Sequence, residues 1–169
     1  MSKRNNKKSK ISRRYGINIW GKDNDPSEKR NYIPGVHGPS IGKRVMSDFG
    51  KQLAAKQIIR GHYGNITEKQ FRNTFKQAQK LKGDTGENFI SLLERRLDIT
   101  LYRMNFVPTV FAARQFVSHK HVMVNGRKVN IASYRLSDGD KIEVREPART
   151  IPMVIEATDA MAREIPPYL

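Results

Sequence analysis

The sequence predicts an α+β protein. A basic, largely irregular arm spans residues 1–46, a small helical domain 47–92, and a compact module of two helices on a small β-sheet 93–155, with a tail over 156–169. Three observations carry this reading. Cations crowd an arm that shows no apolar period, apolar residues recur at helical spacing from Ser47 onward, and an Asn-Gly pair between β-forming flanks announces a hairpin near residue 125.

The arm is read from charge. The 169 residues carry a formal charge of +16, and residues 1–60 hold 15 Lys/Arg against 4 Asp/Glu, whereas the rest hold 17 against 12. Lys3, Arg4, Lys7, Lys8, Lys10, Arg13 and Arg14 all precede the first acid, Asp23. Self-repulsion keeps such a segment open until phosphates neutralise it, so an arm without a core is expected to contribute nothing to the thermal midpoint of the free protein. From Gly21 to Gly42, Asp25-Pro26, Pro34-Gly35 and Gly38-Pro39 punctuate a stretch with no helical or strand period. Tyr32, His37, Lys43 and Arg44 are interleaved there in the manner of RNA-stacking and phosphate-pairing residues.

The helical middle follows from caps and periodicity. Ser47 is a candidate N-cap for a helix near 48–60 carrying Phe49, Leu53, Ala54 and Ile58. Thr67-Glu68-Lys69-Gln70 fits a capping box, and Phe71, Phe75, Ala78 and Leu81 form the apolar face behind it. Asp84, with Glu87 three residues on, opens a third helix running through Phe89, Leu93, Leu97 and Leu101. These three helices are expected to share one core. Their cations, among them Arg95 and Arg96, are ordinarily solvated.

In the C-terminal module, Pro108-Thr109 marks a helix start, and Val110, Ala113, Phe116 and Val117 give its buried stripe before Ser118-His119-Lys120, leaving Arg114 and Gln115 pointing elsewhere. Val122 to Val129 encloses Asn125-Gly126, both of which need positive φ in a tight hairpin turn, with Arg127 and Lys128 following at the tip. Gly139 and the alternation Lys141 to Arg145 announce a further strand.

The function classes narrow quickly. There is no cysteine, which excludes a disulfide framework, a thiolate zinc site and a cysteine nucleophile. The best apolar run, Phe106 to Ala113, is far short of the roughly 18 residues of a membrane span. Asp138 and Asp140 flank a turn glycine and read as turn formers rather than an acid/base pair. His119 and His121 lack an evident third metal ligand, and Gly83-Asp84-Thr85-Gly86 lacks the Lys and spacing of a phosphate-binding loop. No catalytic residue, metal or cofactor is assigned. A polyanion is the expected partner, and nucleic acid is favoured over a membrane because the basic stretch lacks an apolar insertion face.

Leu92-Leu93-Glu94-Arg95-Arg96-Leu97-Asp98, Ala113-Arg114-Gln115-Phe116-Val117, His121-Val122, Asn125-Gly126 and Gly139-Asp140-Lys141-Ile142 resemble the RNA-binding module named after small-subunit ribosomal protein four. Pseudouridine synthases and one class of tyrosyl-tRNA synthetase share that module. The flanks, Arg13-Arg14-Tyr15-Gly16, Asn18-Ile19-Trp20-Gly21, Pro34-Gly35-Val36-His37-Gly38, Ser47-Asp48-Phe49-Gly50, Glu68-Lys69-Gln70-Phe71-Arg72 and Lys82-Gly83-Asp84-Thr85-Gly86-Glu87, resemble the bacterial-type ribosomal protein family itself, in its order, from about Lys10 to Glu146.

The resemblance implies a non-enzymatic, primary binder of small-subunit ribosomal RNA that nucleates assembly at a 5′-domain helical junction. It implies a ribosomal location in the cytoplasm, or in an organelle's matrix or stroma. It also implies contact with the fifth small-subunit protein and a place beside the mRNA, for which Lys43 and Arg44 are the candidates, with an influence on decoding accuracy. The RNA-binding candidates are the arm cations Lys3, Arg4, Lys7, Lys8, Lys10, Arg13 and Arg14, the loop pair Lys43 and Arg44, then Arg95, Arg96, Arg114, Gln115, His119, Lys120, Asn125, Arg127 and Lys128. Two departures stand out. Some family members bind zinc through arm cysteines that this sequence lacks, so RNA contacts are expected to order its arm. The family also continues beyond the position of Leu169 into a segment that packs on the first domain.

Overall fold

The computed structural model describes residues 8–21, 24–30, 32–40 and 45–169. The chain groups into two compact units, 1–66 and 67–169. The expected boundaries after residues 46 and 92 fall inside these units, for reasons visible in the hydrogen bonds of each.

In the first unit, helices α1 (Lys8–Tyr15) and α2 (Pro26–Lys29) accompany the long α3 (Asp48–His62), with a 3₁₀ turn at Gly38–Ser40. The arm is therefore not without a core. Ser12 and Ile19 are buried, Trp20 donates its indole Nε1–H to the Gly61 carbonyl at 3.1 Å, and Ile11 and Ile19 lie against Gly61. Asp25 caps α2 by accepting from the Ser27 amide. These few apolar and cap residues recruit α3 to the arm. Gly38 is required by close approach, since a Cβ there would lie 1.8 Å from the Ile33 carbonyl oxygen. Of the apolar face foreseen on α3, only Ala54 is buried; Phe49 is 74% and Leu53 43% exposed. The expectation of one core shared by three helices is corrected accordingly, because α3 groups with α1 and α2.

The second unit opens with α4 (Glu68–Ala78) and α5 (Thr85–Glu94). Thr67 and Asp84 accept from the Gln70 and Glu87 amides, as Ser47 does from Gly50 in α3. Phe71 and Phe89 meet edge to face at 4.9 Å, Phe75 joins Phe89 at 5.5 Å, and Leu93 is wholly buried. Phe75 itself is 42% exposed, and Leu81 lies beyond the end of α4 and is half exposed. Leu93→Ala should therefore cost about 2 to 5 kcal/mol by leaving a cavity, and Phe75→Ala distinctly less. Urea unfolding of the two variants checks the order, and equal losses would contradict the packing.

The third helix ends sooner than foreseen. The Leu136 amide donates to the Arg95 carbonyl at 2.8 Å, the Leu97 amide to Tyr134 at 2.9 Å and the Asp98 amide to Ala132 at 3.2 Å, so the backbone leaves α5 for a strand-like bridge before α6 (Leu97–Arg103) begins. Distant residues 132–136 impose this break, and with it they tie α5 to the module. Helix α7 (Val110–Ser118) packs on α6, with Thr109 accepting from the Ala112 amide. The sheet order is β2 (Arg127–Val129), β1 (Val122–Val124), β3 (Ile142–Val144), both pairings antiparallel, with Val122 opposite Val129 and Val144. Asn125 and Gly126 have φ of 50° and 73°, the conformation the Asn-Gly turn requires. Leu97, Leu101, Val107, Ala113, Phe116, Val117, Val122, Val124 and Val144 form the core between helices and sheet.

Helices α8 (Glu146–Arg149) and α9 (Pro152–Ala160) follow, and the tail beyond them docks. Arg163 lies 4.0 Å over the Tyr102 ring and donates to the carbonyls of Tyr102, Val107 and Pro108, two of them at 3.2 and 2.9 Å. An arginine thus ties the tail to the last turn of α6 and to the loop that follows it. Among the described residues no helix is long and apolar enough to cross a membrane.

Candidate nucleic-acid interface

Helix α7 with the turn after it and the hairpin place seven of the eighteen candidates, Arg114, Gln115, His119, Lys120, Asn125, Arg127 and Lys128. Gln115, His119, Lys120, Arg127 and Lys128 are exposed. Arg127 and Lys128 pair across the hairpin with Val124 and Met123, so the buried β1 holds the two cations of β2 in a defined register. Lys120 turns the chain from α7 into β1 with φ of 63°. A cationic rim on a rigid sheet can pair with phosphates and reach 2′-hydroxyls without ordering long loops first.

One candidate leaves that surface. Arg96 is buried, and its Nε and Nη2 donate to the two carboxylate oxygens of Asp98 at 3.0 and 2.9 Å. Asp98 is completely buried and also accepts from Nε and Nη2 of Arg114 at 3.2 and 3.0 Å. One carboxylate thus neutralises one guanidinium and shares the second, whose side chain is 22% exposed. Arg96 is an ion-pair residue of the core, and its donor fork is spent on Asp98 rather than presented at the surface. Asn125 stays exposed, with its side chain engaged: its amide donates to Asp140 at 2.8 Å, and its oxygen accepts from the Lys141 amide at 2.9 Å. Only the fold brings residues sixteen apart into that clasp.

Asp140 also accepts from the Ser137 amide at 2.8 Å, and the Ser137 and Asn125 hydrogen bonds hold its carboxyl below the ordinary aspartate range. The turn-forming role read from Asp138-Gly139-Asp140 is the one observed for Asp140, while Asp138 pairs with Arg95 at 3.1 Å on the surface. Arg95 remains exposed but partly neutralised. In the first unit, Lys10 and Arg14 are exposed on α1, where Lys8 is the first residue. Arg13 instead lies 4.8 Å over the ring of Tyr32, so the aromatic foreseen as a stacking platform already carries a cation. Lys3, Arg4, Lys7, Lys43 and Arg44 fall outside the described residues. Among those described, no group of three or more His, Asp or Glu side chains is placed to hold a metal ion.

Sequence comparison bears on this geometry. The pattern of the ribosomal protein S4/S9 N-terminal domain matches residues 3–94, and that of the S4 domain matches residues 95–142. The junction of the two matches coincides with the backbone break at Arg95. Small ribosomal subunit protein uS4 of Dinoroseobacter shibae and that of Ruegeria pomeroyi are each 57% identical to this chain. That of Cereibacter sphaeroides is 56% identical, and each alignment covers the whole chain and 82% of the relative. The chain belongs to the uS4 family. Within uS4, the basic hairpin and α7 lie in the S4 domain, and the arm and α3 to α5 lie in the N-terminal domain. Two side chains that tie distant segments together, Asp98 within the S4 domain and Arg163 beyond it, are not among the candidates. The Arg-Leu-Asp spacing was a signal for the first, and nothing local signalled the second.

Proposed function

We propose that this chain is a structural constituent of the small ribosomal subunit that binds small-subunit ribosomal RNA directly and nucleates assembly at a helical junction of the 5′ domain. The observation that carries this is an S4 domain whose sheet presents Arg127 and Lys128 in fixed register beside exposed Gln115, His119 and Lys120, in a chain of charge +16 matching uS4 proteins along its full length. Arm and helix cations supply affinity by releasing counterions, and the hairpin with α7 supplies selectivity by fitting the shape of a junction. The neighbouring fifth small-subunit protein and mRNA, the latter through Lys43 and Arg44, complete the set of partners, with a contribution to decoding accuracy. The site of action is the ribosome, in bacterial cytoplasm or in an organelle.

The deciding experiment is binding of the whole chain to the isolated 5′ domain against unrelated structured RNA of equal length at physiological salt. A preference of about 4 to 10 kcal/mol, the range of specific over non-specific nucleic-acid sites, is expected. Equal binding would replace the assembly role with that of a free-standing RNA-binding regulator. Arg127→Ala should weaken binding while leaving the unfolding midpoint unchanged, because the side chain is exposed on β2; a lowered midpoint with intact affinity would contradict its role.

A further inference from the structure

The end of α7 and the end of β3 converge on a cluster that the RNA reading only half absorbed. The register pairing Val122 with Val144 carries on one step, because the Arg145 amide donates to the His121 carbonyl at 2.9 Å. The Arg145 Nη1 reaches the Lys120 carbonyl at 3.3 Å. The His119 and His121 rings lie 5.9 Å apart, and His121 rests on Phe116 at 5.0 Å. Four cationic or titratable side chains are thus gathered by backbone geometry. Among the described residues none of the four is paired with a carboxylate.

The surrounding charges leave this excess in place. Glu143, on the same face of β3 two residues from Arg145, is engaged by Lys141 at 2.7 Å, and Arg149 lies near enough to lower its carboxyl further. Glu146 follows Arg145 at the start of α8 and, among the described residues, makes no ion pair with the cluster. On α7, Arg114 is bound to Asp98. Lys128 is exposed on β2, opposite Met123, and adds no negative charge.

We propose that His119, Lys120, His121 and Arg145 form a proton-linked phosphate site for the RNA backbone. The proposal rests on the RNA-binding reading and adds His121 and Arg145 to the contact set. In the free protein, partial burial, with His119 and Arg145 alongside, holds the His121 imidazole below the ordinary histidine range, so it is largely neutral near pH 7. A phosphate seated among these groups reverses the field: it favours the imidazolium, and binding takes up a proton. Affinity therefore rises as pH falls. The free fold behaves oppositely, because a base whose folded pKa is depressed binds fewer protons folded than unfolded, and stability declines as pH drops through the unfolded value.

The test is the affinity of the full chain for the isolated 5′ domain and for unrelated structured RNA between pH 7.5 and 6.0. Wild type, His121→Gln and Arg145→Gln are compared at constant salt, with circular dichroism verifying the fold of each. Wild-type binding should tighten about three- to tenfold over this range on either RNA, as uptake of up to one proton allows. His121→Gln should lose most of that pH dependence, and Arg145→Gln should lower the salt slope by about one. Superimposable pH profiles for wild type and His121→Gln overturn the site, whereas proton-linked binding without preference for the 5′ domain overturns only the assembly role. A second measurement needs no variant: the His121 imidazole should titrate at higher pH in the complex than in the free protein, followed by nuclear magnetic resonance. An unchanged titration overturns the proposal.

Discussion

Asp98→Ala should lower the unfolding free energy by about 3 to 5 kcal/mol, enough to leave much of the chain unfolded if its total stability is ordinary. Asp98 is fully buried, and its two oxygens receive four donated hydrogen bonds from Arg96 and Arg114. Removing the carboxylate leaves two guanidiniums facing each other, one of them in a side chain only 9% exposed. Neither guanidinium can lose its charge in response, so the cost falls on folding. Replacing the whole cluster, as in Arg96→Met/Asp98→Leu/Arg114→Met, should recover most of the loss, because apolar groups of similar volume need no partner. Urea unfolding of both variants decides the matter, and a loss below about 1 kcal/mol for Asp98→Ala would show that solvent already screens the cluster. By the same geometry, Arg114→Ala strips two of the four bonds from a buried carboxylate and costs stability along with any RNA contact.

The second large effect concerns binding. If about 6 to 10 phosphates are engaged, affinity for structured ribosomal RNA should fall about 10³- to 10⁵-fold between roughly 50 and 200 mM monovalent salt, on the slope known for duplex DNA. Lys10 and Arg14 in the first unit and Lys120, Arg127 and Lys128 in the second are exposed cations available for such contacts. Filter binding or fluorescence anisotropy across the salt series gives the slope directly. A nearly flat dependence would mean that shape and hydrogen bonding, rather than counterion release, carry the affinity.

Several parts of the fold were legible one residue at a time. Ser47, Thr67, Asp84 and Thr109 cap the helices that their types and spacing foretold, because an N-cap needs only its own side-chain oxygen and an amide three residues on. Asn125-Gly126 turns the hairpin for an equally local reason, since both residues tolerate positive φ. The absence of cysteine and the +16 charge narrow the chemistry through composition alone. Apolar periodicity identified Leu93, Ala113, Phe116 and Val117 as core, and all are buried.

Sequence by itself thus determined the caps of four helices, the hairpin turn, the α+β class and the polyanionic character of the partner, but not the helices of the arm or α8 and α9. Tertiary structure alone decided which elements share a core and which cations remain at the surface. Trp20 reaching the Gly61 carbonyl joins the arm to α3, and the segment 132–136 breaks a helix that its own periodicity would have continued past Arg95. Asp98 draws Arg96 into the interior, Asp140 and the Lys141 amide engage the exposed Asn125 side chain, and Arg163 crosses more than fifty residues to meet the last turn of α6. The physical reason is common to all of them. A cap or turn is settled within about four residues, whereas a buried charge or an unpaired carbonyl is satisfied by whatever group the packed chain brings to it.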